Sequence, residues 1–529
     1  MFKRLITILT AALLSAQAPA PDTPVIKMTT RLLQVSVVVY DKKGDPVSDL
    51  TKDDFVLYDK GQEQKIRYFA KEASDAPAQD VPPQGEGTVS NRFVTFKSDG
   101  KLKVQALPDS LTVILLDGLN TKFTDQKNAK EAIVKFLKQI QPGDRVAIFT
   151  LTDGLRVLHD FTANTAELLA ALEAHHNQES AEVAASSYAD SHLGGNQARV
   201  LEAMIDRGNA LIAGYTIARR ASTTMMALQA IANHLAGLPG RKNLIWVSGG
   251  FPVPGSAINH SGIAIYPVDA RGLSGMTEWM PSMHGSTALN LDLFNPGAKA
   301  MDTRAENDIG DSLLAMNQLA DRTGGRACLN NNDIAHCISR AMNDARVTYA
   351  LYFTPTHNEW AGEFREIKIK LNRPGLDPHY RKGYYALPDV PAEAQTRHTL
   401  LAEAALSPLP ATGLMLVAKL LQRPTEADAH AALSVVMDGH ELAFAPNAKG
   451  EQEATVDFLV LPFGDQPAPL SETARRIHLA LNPQQYDVLM KGGVRVTLVV
   501  DAPVKAQRVR VVARDAASGT VGSLDIPIK

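Results

Sequence analysis

The chain has 529 residues, 45% of them hydrophobic and 21% charged, with a formal net charge of -3. Such a length exceeds one ordinary core and divides into several domains. The composition is globular, and the charge balance, with no basic stripe carrying interleaved aromatics, excludes a dedicated nucleic-acid surface.

Lys3 and Arg4 precede the apolar run Leu5 to Leu14, and small residues follow at Ser15, Ala16, Ala18 and Ala20. This is the layout of a secretory signal peptide over residues 1–20, with cleavage best placed after Ala16. The run is too short to span a bilayer comfortably, no later segment has the length of a membrane helix, and no lipobox cysteine follows. A secreted or periplasmic protein with no membrane span after signal removal is expected.

Residues 24–70 read as a small sandwich-like β domain. Leu33 to Tyr40 alternates apolar and polar residues, Asp41 to Pro46 supplies turn chemistry, and Asp54 to Tyr58 and Lys65 to Phe69 are further strands around a Gly61 turn. Asp53 and Asp54 have the chemistry for calcium, and a solvated turn is the simpler reading. Residues 71–108 form a linker or edge segment. From Lys71 to Asn91 the chain is rich in Ala, Pro, Gln, Gly and Glu and cannot bury enough apolar surface to offset its ordering entropy.

Residues 109–388 alternate strand and helix, as an open, doubly wound sheet does. Leu111 to Leu116 is a run of apolar or β-branched residues without alternation, hence a strand buried on both faces, and Asp117 follows at its end. A carboxylate at the carboxyl edge of a parallel sheet meets the loops of neighbouring strands, so Asp117 is the first candidate for chemistry; capping of the next turn is the alternative. Ala129, Ile133, Phe136, Leu137 and Ile140 have helical spacing. Val146 to Leu151 is a strand, and Asp153-Gly154 turns it back into an antiparallel edge strand, Arg156 to Phe161. An insert is expected over 175–214, followed by a helix around Met225 to Leu235 and strands at Asn243 to Val247 and Ile263 to Val268, the last ending at Asp269. A second insert spans 273–308. A helix, the strand Arg326 to Leu329, another helix and the strand Tyr349 to Phe353 complete the alternation, and Glu366 to Leu371 and Gly383 to Leu387 close the domain.

The only cysteines, Cys328 and Cys337, either form a local disulfide in an oxidising compartment or stand as two buried thiols. Met276, Met280, Met283 and His284 could hold Cu(I), or be ordinary packing residues. His175, His176 and His192 have no acidic partner at metal-ligand spacing and read as solvated. No phosphate loop, G-x-G-x-x-G, H-E-x-x-H or G-x-S-x-G is present. After a linker at 389–410, residues 411–529 carry period-two segments of a C-terminal β-sandwich.

Asp117-Gly-Leu-Asn-Thr121 at the end of a first strand, Ser222-Thr223-Thr224 in a loop before a helix, and the glycine pair after Val247 resemble a von Willebrand factor A (VWA) domain. VSVVVYDKKGDPVSDLTKDDFVLYDKGQEQKI, LLDGLNT, RKNLIWVSGGFP, AIYPVDARGL and TGGRA are similar to the bacterial exported VWFA-related domain family of acidobacterial type, over Ile26 to Leu387. The resemblance implies a VWA-like (Rossmann-like) central sheet with a metal-ion-dependent adhesion site. There Asp117 and Thr121 match the first and last members of the D-x-S-x-S loop, Thr223 or Thr224 supplies the threonine, and Asn120, Ser248 or a water would substitute for the missing ligands of Mg2+ or another divalent cation. Leu119 stands where the first hydroxyl belongs and Gly249 where the second aspartate does, so the site is degenerate. Asn120 and Asp269 are candidates for partner contact. The resulting expectation is an exported, non-enzymatic adhesion or protein-binding protein, with a protein or envelope component as partner. The alternatives are an envelope-polymer hydrolase using Asp117, Asp269 or His159, and a metal-free structural component.

Overall fold

The computed structural model describes residues 32–73, 88–92, 94–96, 102–104, 110–141, 144–176, 199–238, 240–250, 263–272, 309–357, 359–386 and 394–528. The signal segment, His192, most of the 175–214 insert and the whole 273–308 insert with Met276, Met280, Met283 and His284 lie outside them. Among the described residues no helix is long and apolar enough to cross a membrane.

The central body is an α/β sheet of five strands: β1 (Ser110–Asp117), β2 (Val146–Leu151), β3 (Leu155–Thr162), β4 (Arg241–Ser248) and β5 (Ile263–Asp269). Their spatial order is β3-β2-β1-β4-β5, with β1, β2, β4 and β5 parallel and β3 antiparallel at the edge. Helices α1 (Phe123–Leu137), α2 (Thr165–Ala174), α3 (Arg199–Leu235), α4 (Ile309–Thr323) and α5 (Ile334–Arg346) cover both faces. Because side chains alternate along a strand, Val113, Leu115, Leu244 and Trp246 face α3 and α4, whereas Ile114, Leu116, Ile245 and Val247 face α1 and α5. Two apolar layers therefore enclose the sheet, which makes it doubly wound. Capping agrees with the sequence: Asn164 accepts from Ala166 N at the start of α2 and Asp333 from His336 N at the start of α5.

Several expectations are corrected. The strand expected at Arg326 to Leu329 reduces to a single parallel bridge between Val268 and Cys328. Gly325 lies so close to β5 that an added Cβ would sit 1.9 Å from Ile265 O, which leaves glycine the only residue that fits. Residues 199–214, read as part of an insert, are helical and continuous with the later apolar periodicity, giving a 37-residue α3. With no proline in that stretch, its glycines do not interrupt the hydrogen-bond ladder.

The strand Val347–Phe353 does not complete the central sheet. It pairs with Leu33–Tyr40 and Ile66–Ala73, and Asp377–Tyr380 adds to the other side of Leu33–Tyr40. A second sheet orders Gly383–Tyr385, Phe364–Leu371, Phe55–Asp59 and Gln62–Gln64. The two enclose Val35, Val37, Leu57, Tyr349, Leu351 and Ile369. The N-terminal strands are thus one half of a sandwich whose other half comes from 347–386, and the α/β body is inserted between the halves. Period-two patterning identifies strands but not their partners, which is why local reading assigned the two halves to different domains.

The C-terminal unit is a sandwich of two antiparallel sheets around Leu416, Val435, Phe458, Val460 and Val511. One of its edge strands, Thr88–Ser90, comes from the segment read as linker and pairs with Leu416–Gln422. Helix Ala394–Leu406, also read as linker, packs Leu401, Ala404 and Ala405 on Leu459, Leu461 and Val512. Thr412 fastens this unit to the end of α3: its N donates to Asn233 O (3.0 Å), its Oγ1 donates to His234 O (2.7 Å), and Gly237 N donates to that Oγ1 (2.9 Å).

Cys328 and Cys337 are disulfide-bonded, with Cα atoms 6.0 Å apart, and the bond ties the loop before α5 to its second turn. Closing so short a loop restricts the unfolded chain by about 2–3 kcal/mol, so unfolding in dithiothreitol is expected at a clearly lower temperature than unfolding in its absence. An unchanged midpoint would show that the bond adds no stability.

Candidate functional site

Asp117, Asn120 and Thr121 lie at the carboxyl edge of β1, where the turn crosses toward β4. Asp117 is 2% exposed. Its Oδ1 accepts from Asn120 N (2.9 Å), and its Oδ2 accepts from Asn120 Nδ2 (2.8 Å), Trp246 Nε1 (3.0 Å) and Ser248 Oγ (2.8 Å). Burial pushes the Asp117 carboxyl above the usual carboxylate range, and the bonds from Asn120, Ser248 and Trp246 pull it partway back.

Asn120 is the hub. Its Nδ2 also donates to Thr224 Oγ1 (3.0 Å), and its Oδ1 accepts from Arg220 Nε (3.1 Å). Thr121 Oγ1 accepts from Gly249 N (2.8 Å), and Thr121 O accepts from Gln126 Nε2 (2.8 Å). The structure therefore brings Asp117, Asn120, Thr121, Thr224 and Ser248 into one cluster. Thr223 is half-buried and outside it, and Ser222-Thr223-Thr224 is not a loop but lies inside α3. Arg220 and Thr224 share a face by their spacing of one helical turn, and Trp246 and Ser248 share a face by strand alternation. Those two periodicities are the signals that could have added Arg220 and Trp246 to the site; Gln126 had none.

The residues present do not fit a divalent cation. A hard cation needs about six oxygen ligands with lone pairs to spare. Here Asp117 Oδ2 already takes three donors, Thr121 and Thr224 each take one, and the Arg220 guanidinium reaches the cluster through Asn120. Leu119 packs with Leu115, Leu151 and Leu228 in the core, so the hydroxyl position of the loop has become an apolar anchor. A Cβ on Gly249 would lie 3.3 Å from Asn120 O, which is tight for the missing aspartate. Among the described residues no set of three His, Cys, Asp or Glu side chains is arranged to hold a metal.

Asp269 and Asn120 do not present free groups to a partner. Asp269 is 2% exposed, and its carboxylate accepts from Arg271 N (3.0 Å), Nε (2.8 Å) and Nη2 (2.9 Å), while Asn120 is 5% exposed. His159 pairs with Ile148 in the middle of β3, away from the carboxyl edge, and its Nδ1 contacts Asp160 O (2.6 Å). His175, read as solvated, is half-buried; it lines, with Asp117, Thr121 and Thr150, a cavity of about 10 Å³, room for one water. Burial and Lys130 lower its pKa. Beside the cluster, between α1 and α5, lies a polar groove of about 390 Å³ lined by Glu131, Lys135, Arg271, Asn332 and Asp333. Asp53 and Asp54 sit in a short helical turn where Asp54 Oδ2 accepts from Thr51 N (2.8 Å), a capping role.

No family model matches the chain, and no curated protein matches it in sequence. Solved structures similar to it include a von Willebrand factor type A protein from Catenulispora acidiphila (10% identity, 65% of this chain and 80% of that one, TM-score 0.25). An aerotolerance-related membrane protein from Bacteroides fragilis is similar at 12% identity over 44% of this chain and 98% of that one, TM-score 0.23. Proximal thread matrix protein 1 from the mussel byssus, with a zinc-occupied MIDAS motif, is similar at 8% identity; this chain spans 48% of its length and is itself covered over 46%, TM-score 0.24.

Proposed function

We propose that this is an exported, non-enzymatic binding protein whose VWA-like body meets a protein or envelope partner without a bound cation. The carrying observation is the closed cluster around Asp117. At the edge where an open parallel sheet ordinarily takes its ligand, the polar groups hydrogen-bond one another, and the cavity lined by Asp117, Thr121 and Thr150 has room for a single water. A buried hydrogen-bonded lock holds loops in place; it does not offer a small substrate a pocket. The adjoining polar groove, with Glu131, Lys135 and Arg271 on its walls, suits contact with a mixed-charge protein surface. Export is supported by Lys3-Arg4 before the apolar run and by the Cys328–Cys337 disulfide, which belongs to an oxidising compartment. The hydrolase alternative needs convergent free carboxylates, and Asp117, Asp269 and His159 do not converge.

Thermal unfolding with Mg2+, Mn2+, Ca2+ or EDTA tests the cation-free reading. Any ion bound to the folded state raises the midpoint, by the equivalent of about 2.7 kcal/mol at a hundredfold excess over its dissociation constant. We expect superimposable curves. A shift with Mg2+ that vanishes in Asp117→Ala would restore the adhesion-site mechanism.

A further inference from the structure

A second cleft, of about 440 Å³, opens on the other side of α5, where the Tyr40–Pro46 turn of the split sandwich faces the helix. Its rim carries Lys43, Asp45, His336 and Arg340, all exposed, and its inner wall carries Tyr40, Arg326 and Asp344. Spacings of four residues put His336, Arg340 and Asp344 on one face of α5. Arg326 lies over the Tyr40 ring at 4.3 Å from its centroid, and its buried Nε has no hydrogen-bond partner. Tyr40 is 4% exposed and Asp344 6%. Lys43, Arg326 and Arg340 form no ion pair among the described residues. Two cations thus stand at the mouth of an open polar cavity, and at its inner wall Arg326 keeps one buried donor unspent beside the buried Asp344 carboxylate.

The charges are sorted by depth. Lys43 and Arg340 at the mouth suit an oxyanion, and Asp45 beside them keeps the excess of positive charge small. Asp344, buried beside the Tyr40 hydroxyl, suits a donor. Burial and the neighbouring Asp344 charge push Tyr40 well above the ordinary phenol range, so its hydroxyl keeps its proton. We propose that the cleft between the 40–46 turn and α5 binds a small ligand carrying a carboxylate at its outer end and hydroxyl or ammonium donors at its inner end. A sugar acid and an amino acid both meet that description. Either would bridge the split sandwich and the α/β body.

Isothermal titration of the full mature chain tests this with D-glucuronate and L-alanine as probes, against acetate, which has only the carboxylate, and D-glucose, which has only the donors. One of the two probes is expected to bind at least about tenfold tighter than both controls, since each charge-assisted contact contributes about that factor. Glucuronate binding would assign hydroxyl donors, alanine binding an ammonium. Charge reversal by Arg340→Glu or Lys43→Glu, both on the exposed rim, is expected to weaken that probe about tenfold or more. Asp344→Asn should weaken it comparably, with Tyr40→Phe reporting on the inner wall if Asp344→Asn fails to fold. Probes no tighter than the controls, or binding unchanged by Arg340→Glu, would overturn the proposal.

Discussion

Asp117→Ala is expected to lower the unfolding free energy by about 3 kcal/mol, measured by urea denaturation at neutral pH, with no dependence on added cation. The substitution removes the buried acceptor of Trp246 Nε1, of Asn120 N and of one of the two Asn120 Nδ2 bonds, the other going to Thr224 Oγ1. Ser248 escapes, because its hydroxyl also lies 2.7 Å from Gly250 O. Part of the cost is offset by removing a desolvated charge, which keeps the loss below the sum of the orphaned donors. Asp117→Asn keeps one oxygen for the three Oδ2 donors and is expected to cost about 1–2 kcal/mol. The pH dependence has a defined sign. Burial raises the folded-state pKa above the unfolded value, so the folded chain binds more protons between the two. Stability conferred by this group is therefore full below the ordinary aspartate range and declines as pH rises through the raised pKa. The asparagine variant, which cannot titrate, is expected to narrow its gap to the wild type over that interval. A gap that widens with pH would reverse the assigned direction.

Gly237→Ala is expected to be at least as damaging, at about 3 kcal/mol or more, through overpacking at a seam that cannot move. An added Cβ would meet Thr412 O at 1.8 Å and Arg92 Nη2 at 2.1 Å. Neither neighbour is at liberty to shift. Thr412 binds the end of α3 through its N and Oγ1, and Arg92 donates to Thr412 O (2.7 Å), Gly413 O (2.8 Å) and Glu441 Oε1 (2.5 Å). The expected signature is a second transition in calorimetry, the C-terminal sandwich unfolding apart from the α/β body. A single transition at the wild-type midpoint would show that the seam tolerates a methyl group.

The sequence made the central sheet readable because its signals are local. The apolar runs Val113 to Leu116 and Leu244 to Val247, the Asp153-Gly154 turn and the periodicity of α1 need no knowledge of distant partners. The Asp117 cluster was half readable. Its loop is contiguous, but Arg220 and Trp246 join it only once α3 and β4 are placed, and Asn120 gave no sign that its amide would fill the centre. What local pattern could not carry is partnership. Val347 to Phe353 has the composition of a central strand, yet it pairs with Leu33–Tyr40, and Thr88–Ser90 leaves a segment poor in apolar residues to become an edge of the C-terminal sheet.

The split sandwich sets an order of events for a chain made from its N-terminus. Leu33–Tyr40 cannot pair with Val347–Phe353, nor can Leu50 N find the Tyr349 hydroxyl, until 299 further residues have emerged. For that interval the first strands are unpaired edges, able to join any exposed β segment, including the same strands of a neighbouring copy. A fragment ending at Arg346 is accordingly expected to leave 33–73 open to protease, and adding 347–386 in cis to protect it. Closing so distant a contact is slow, so the split sandwich forms after the α/β body, and the C-terminal unit, whose edge Thr88–Ser90 waits for Leu416–Gln422, forms later still. The α/β body is then enclosed by a clasp that fastens only after the body itself is complete.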